Sequence, residues 1–162
     1  MSVSVDIMIS EDIESADDDV PEPSLIKTWV DAAYLADADE VIPPVASVLV
    51  TTADEIQLLN RQYRDKDVPT NVLSFPMHSP ENVDINLLGD IALCASVIND
   101  EAESQSKHKD AQWAHMVVHG MLHLQGYDHV DQSDAEEMEQ MEISILDKLG
   151  FKNPYMTDNE QV

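Results

Sequence analysis

The stretch HGMLHLQGYDH, residues 119–129, constrains this chain more than any other, because its spacing dictates a helix that ends in a sharp reversal. On a helix, residues four apart differ by about 40° in rotation and one turn in rise, so His119 and His123 face the same way. Gly126 lets the backbone leave the helix through a left-handed conformation that a Cβ would resist. The chain then doubles back, and His129 supplies a third imidazole. Three histidine ligands at roughly 2.0–2.1 Å leave the fourth position of a tetrahedral zinc open, the arrangement of a catalytic rather than a structural site. Imidazole also suits nickel and iron, so the pattern specifies a metal more firmly than its identity. His115, one turn before His119, is the competing ligand and is read as packed behind the site. His78 and His108 fall in or near loops and read as solvated.

The residue after His119 is Gly120. A zinc peptidase with H-x-x-x-H-x-x-G-x-x-H spacing carries a glutamate there, which takes the proton from the attacking water. Glycine cannot. A metal alone still lowers the pKa of water toward about 7. That chemistry suits a substrate whose transition state gathers negative charge on oxygen, and phosphodiesters are such substrates. An arginine fork would complement the metal.

Arg61, Arg64 and Lys66 lie within six residues of one another in a chain with 33 acids, eight bases and a formal charge of −25. Such a charge repels nucleic acid at long range and excludes a broad basic binding face. An arginine at a helix end is ordinarily a solvated cation favoured by the helix dipole. Its place in the basic cluster makes Arg64 a candidate for function instead, with Lys66 as an auxiliary phosphate contact. Thr70 and Asn71 read as turn-setting residues. Asp128 has two readings, a carboxylate that orients His129 or His123, or a simple turn residue.

The remaining sequence supplies one domain around this helix. Alternation over 3–9 and the β-branched run 45–52 predict strands. A helix follows Pro23, and a second opens at Thr52, with Glu55 in a capping box, and ends near Arg64. A short strand, Val72 to Phe75, ends at Pro76, which cannot donate to a ladder and so belongs at an edge. After the loop 77–88, a strand covers 89–94, and two helices cover 95–106 and 107–125. Ser133 and Glu136 suggest a capping box for a last helix, closed by Gly150. The order β-α-β-α-β-β-α-α-α predicts an α+β fold, a small mixed sheet packed with about five helices. The domain is expected to span 1–152, with a flexible tail over 153–162. No apolar run approaches the roughly 18–20 residues of a membrane helix. The N-terminus has no basic region of the signal-peptide kind. Cys94, the sole cysteine, suits a reducing cytosol and reads as a small buried strand residue.

Three segments together, HGMLHLQGYDH (119–129), YRDKDVPTNVLSFP (63–76) and LLGDIALC (87–94), resemble the YbeY endoribonuclease family in order and separation. The resemblance implies a zincin-like α+β fold holding one zinc through His119, His123 and His129. It implies a single-strand-specific, metal-dependent endoribonuclease of the bacterial cytoplasm. Such enzymes act in maturation of the 3′ end of 16S ribosomal RNA and in late quality control of 70S ribosomes. Arg64 matches the arginine of the family's YRxKDxPT motif, which faces the metal and assists catalysis or RNA contact. The strong acidity departs from what an RNA enzyme leads one to expect, and recruitment by ribosomal proteins or an assembly GTPase would ease it. Two other readings stand beside this one. A degenerate metallopeptidase is disfavoured by Gly120, and a ribosome assembly factor would carry a largely structural zinc.

Overall fold

In the computed structural model, which describes residues 2–13, 19–35, 42–79 and 82–156, the apolar runs become four strands and the periodic segments five helices. In chain order these are β1 (Ser4–Ile9), α1 (Pro23–Ala33), β2 (Pro44–Thr51), α2 (Ala53–Arg64), β3 (Val72–Pro76) and β4 (Asn86–Cys94). They are followed by α3 (Ala95–Ser104), α4 (Lys109–Leu124) and α5 (Gln132–Lys148). The sheet order is β1-β2-β4-β3, with β1, β2 and β4 parallel and β3 antiparallel to β4. This is the expected small, mixed α+β layer. β3 lies at an edge, where Pro76, opposite Gly89, leaves no interior ladder bond unmade. Gly89 is obligatory here: its φ is +139°, and a Cβ there would meet the Phe75 carbonyl oxygen at 2.2 Å.

α4 is the axis of the core. Eleven of its sixteen residues are buried, so it is held on several sides at once. Trp113, Val117, Val118, Met121 and Leu122 pack with Val48 and Val50 of β2, Ile91 and Leu93 of β4, and Ile26 and Trp29 of α1 in one apolar cluster. Burial on that scale fixes the helix that carries His119 and His123. Cys94 is fully buried at the end of β4, as expected. No described helix is long and apolar enough to cross a membrane.

Most element ends fall within two residues of the sequence expectation, and two differences have a specific cause. β4 starts at Asn86 rather than 89, because Asn86 and Leu87 pair with Pro44 and Val45 of β2 before a register shift that passes over Leu88. A strand between two neighbours need not alternate, which hides its first residues from periodicity. The cap of α5 is Asp131 rather than Ser133: its carboxylate accepts from Asp134 N at 2.8 Å, and Ser133 falls inside the helix. An aspartate two residues upstream offers an equally good acceptor and extends the helix at its N-terminus. At α2 the Thr52 cap forms as expected, accepting from Glu55 N at 3.3 Å. The Glu55 carboxylate, in contrast, accepts from Ser10 Oγ on the loop after β1. Half of the capping box is present.

Candidate metal centre

The end of α4 builds the site through a defined turn. Gly126, at φ +98°, donates to His123 O, and Tyr127 N donates to Leu122 O at 3.0 Å. This paired closure with a left-handed glycine is a Schellman motif, and it satisfies the last helical carbonyls while reversing the chain. Asp128 then accepts from His129 N at 2.7 Å. Its carboxylate stands 4.0 Å from His129 Nδ1, beyond hydrogen-bond range, so Asp128 sets the turn that presents His129.

His119, His123 and His129 converge. Each offers a ring nitrogen, and these atoms lie within 4.8 Å of one another. His119 Nε2 and His123 Nε2 are 3.1 Å apart. Two nitrogens bound to a tetrahedral zinc at about 2.0–2.1 Å are about 3.3–3.4 Å apart, so the pair is already spaced as ligands. Burial, followed by the neighbouring His119 and His129 imidazoles, holds the His123 pKa below its ordinary value and favours the neutral ring that a metal requires. Donor chemistry and spacing therefore fit a divalent metal. His129 is largely exposed, which leaves one side of the group open to solvent.

Arg64 shares this space. It lies with Lys66 and His78 on the lining of the cleft, about 890 Å³ in volume, onto which the three histidines open. Its Nη2 donates to Ser74 O at 2.7 Å and its Nη1 to Tyr63 O at 3.4 Å. The guanidinium carbon stands 5.2 Å from the Phe75 ring centroid, within cation–π range. Edge strand β3 thus orients an arginine that lies 55 positions before the first histidine. Asn71 behaves as a turn residue: its Oδ1 accepts from Val72 N and its amide donates to Glu101. His78 is exposed at the cleft. His108 caps α4, accepting from Asp110 N, and stays outside the cluster.

His115 is buried and belongs to a different group. Its Nε2 meets Glu142 Oε2 at 2.8 Å, while His119 Nδ1 meets Glu142 Oε1 at 2.7 Å. Tyr155 donates its hydroxyl to the same carboxylate. Burial would push the Glu142 carboxyl up, but the hydrogen bonds from His115 and His119 outweigh it and hold the group at about 2. Burial and then the Glu142 charge push the Tyr155 phenol far above its ordinary range. Sequence reasoning missed both residues. The available signal for Glu142 is its place on the apolar stripe of α5, four after Met138 and three before Ile145, where a charge needs partners. Tyr155 carries no periodic signal. Of the tail expected from 153, residues 153–156 are described, and 157–162 lie outside the described residues.

Gly120 faces the sheet rather than the cleft. A Cβ on it would meet three side-chain atoms of Ile91, on β4, at 3.0, 3.2 and 3.3 Å. The position where a peptidase would carry its glutamate is a contact between helix and sheet.

Comparison with known proteins assigns the chain to a family. Residues 11–150 match the family model described as Endoribonuclease YbeY. A protein of that name from Alteromonas mediterranea is 48% identical over 142 residues, covering 86% of this chain and 87% of that protein. A second, from Cellvibrio japonicus, is 45% identical over 147 residues, covering 91% and 82%. A third, from Idiomarina loihiensis, is 42% identical over 163 residues, covering 99% and 96%. A solution structure of a Thermotoga maritima protein aligns with a TM-score of 0.49 at 22% identity, over 94% of this chain and 99% of that one. With a family model matched over most of its length and three relatives above 40% identity, this chain belongs to the YbeY endoribonuclease family.

Proposed function

We propose that this chain is a zinc-dependent endoribonuclease specific for single-stranded RNA. In this reading it acts in the cytoplasm, on the 3′ end of 16S ribosomal RNA and in late quality control of 70S ribosomes. The supporting observation is one cleft onto which three convergent histidines and an oriented arginine both open. His119, His123 and His129 would hold the metal, zinc by donor set, with nickel an acceptable substitute. When bound, the metal supplies a nucleophile at neutral pH by lowering the pKa of water. Arg64 has two of its five N–H groups fixed on backbone carbonyls, which sets the plane of the fork. The others serve the non-bridging oxygens as charge builds on the phosphorane. Lys66, on the same lining, adds a phosphate contact. Ribosomal proteins or an assembly GTPase deliver so acidic a chain to its RNA.

The test is digestion of defined single-stranded RNAs by purified wild type, His119→Ala and Arg64→Ala, with product ends mapped. Wild type is expected to cut, His119→Ala to lose cleavage, and Arg64→Ala to fall by about 10²–10³ in rate, the loss of one donor to developing charge. Equal cutting by either folded variant would overturn the proposal. Chelator-sensitive peptide cleavage in place of RNA cleavage would favour the peptidase reading.

A further inference from the structure

Among the described acidic residues of this strongly acidic chain, Glu142 is exceptional in being buried, with 1% of its surface exposed. Removing a carboxylate from water costs several kcal/mol unless donors replace the lost hydration. Three donors do so here: His119 Nδ1, His115 Nε2 and the Tyr155 hydroxyl. An ionised carboxylate only accepts, so each partner must give it a proton-bearing atom. For His119 this fixes the tautomer. Nδ1 carries the hydrogen, and Nε2, which faces His123 Nε2, carries the lone pair. Hydrogen bonding of this kind also sets the ring's rotation and raises its basicity as a ligand.

The other two donors hold the carboxylate in place. His115 sits one turn before His119 on the same face of α4, and its Nε2 is turned onto Glu142, away from the open cluster. Tyr155 donates to Glu142 Oε2, the same oxygen that His115 meets, while His119 meets Oε1. The last turn of α5 closes as a second Schellman motif, with Gly150 N on Asp147 O and Phe151 N on Leu146 O. That turn sends residues 151–156 back along α5, where Phe151 packs edge-on against Trp29. Lys107 clips the segment by donating to Pro154 O at 2.9 Å. The hydroxyl of Tyr155 then reaches inward while its ring meets His115 edge-on at 5.4 Å.

We propose that Glu142 is the positioning residue of the histidine cluster, and that the 151–156 segment, through Tyr155, braces Glu142 against His119. The inference rests on the metal reading of the three histidines. Its test uses the full chain and reads metal binding and ligand geometry rather than cleavage alone. Zinc affinity is measured by chelator competition, and the visible spectrum of the Co²⁺-loaded protein reports the ligand field, for wild type, Glu142→Gln and Tyr155→Phe. Glu142→Gln keeps the shape but cannot accept from all three donors. Its zinc affinity is expected to fall by about 10- to 100-fold, the usual loss when such a partner is removed. The Co²⁺ bands are expected to shift while far-ultraviolet circular dichroism stays unchanged. Tyr155→Phe, which keeps the ring, is expected to lose about threefold to tenfold, the size of one net hydrogen bond. Should Glu142→Gln fail to fold, Tyr155→Phe decides the matter. Wild-type affinity and an unshifted spectrum in the folded variants would overturn the positioning role and leave the metal reading intact. A wild type that binds no zinc would overturn both.

Discussion

Gly120 offers a prediction in which two known effects oppose each other. Placing alanine in the interior of a helix in place of glycine gains about 0.8–1.0 kcal/mol of helix propensity. Here the added methyl meets Ile91 Cγ2, Cδ1 and Cγ1 at 3.0, 3.2 and 3.3 Å, all inside comfortable contact. Ile91 is 1% exposed on β4, a strand flanked by β2 and β3, so its side chain has little room to yield. Overpacking of this kind costs about 1–3 kcal/mol. The net expectation for Gly120→Ala is a destabilisation of about 0–2 kcal/mol. In an Ile91→Ala background the three crowding atoms are gone. The same Gly120→Ala change should then stabilise by about 1 kcal/mol, because propensity survives and the methyl partly fills the hole.

The assay is urea unfolding of the four proteins in the double-mutant cycle, with circular dichroism as readout. Opposite signs of the Gly120→Ala effect in the two backgrounds are the expected result. A stabilisation of about 1 kcal/mol in both would refute the packing account and return position 120 to the status of an open vacancy. The distinction matters for function. If position 120 is a helix–sheet contact, Gly120→Glu gives a misfolded protein and not a peptidase, since no carboxylate there reaches the cleft.

Three further outcomes follow from the site. Arg64→Lys keeps the charge but loses the fork held on Ser74 O and stacked on Phe75; RNA cleavage is expected to fall by at least tenfold with zinc content unchanged, measured by metal analysis beside a cleavage assay. Chelation of the metal is expected to abolish cleavage while thermal unfolding stays cooperative, because α4 is held by Trp113, Val117 and Met121 and not by the ion; unfolding on chelation would favour the assembly-factor reading. In the metal-free protein, Glu142 titrates at about 2 against an ordinary 4.5, so its contribution, on the order of 3 kcal/mol, is complete above about pH 4.5 and lost as pH falls toward 2. The stabilities of wild type and Glu142→Gln, followed by circular dichroism during acid unfolding, are expected to converge as pH falls through that window, and a constant gap would contradict it.

What was legible in the sequence was what is local. His119, His123, Gly126 and His129 fall within eleven residues, and helix geometry alone places them together. The caps at Thr52 and Gly126 are likewise set by neighbours a few residues away. Arg64 is intermediate: a basic cluster marks it, but its place in the cleft depends on β3 folding back to offer Ser74 O and the Phe75 ring. Glu142 and Tyr155 could not be read, because their partners are 23 and 13 residues away and the burial of a carboxylate is a property of tertiary packing. The role of Gly120 was half legible. Its missing carboxylate showed in the spacing, but the reason for it, the side chain of Ile91, stands on another element.

The acidity of the chain becomes tractable once charge is sorted by position. Lys27 is paired with Asp31 at 2.9 Å, and Lys109 faces Asp19 at 3.5 Å, whereas Arg64 and Lys66 line the cleft. At physiological ionic strength the screening length is about 8 Å, so exposed carboxylates farther off contribute little to the field in the cleft. Two cations on the lining predict a slope of log affinity against log salt of about −1.4 for single-stranded RNA, from roughly −0.7 per neutralised phosphate. Screening of the −25 background acts in the opposite direction and flattens the slope further. Anisotropy titrations of labelled single-stranded RNA with metal-free wild type, from 50 to 200 mM salt, are expected to give a slope between about −1.4 and zero. A slope steeper than about −4 would mean many more phosphates are neutralised than this cleft can reach, and would place the RNA on a different surface.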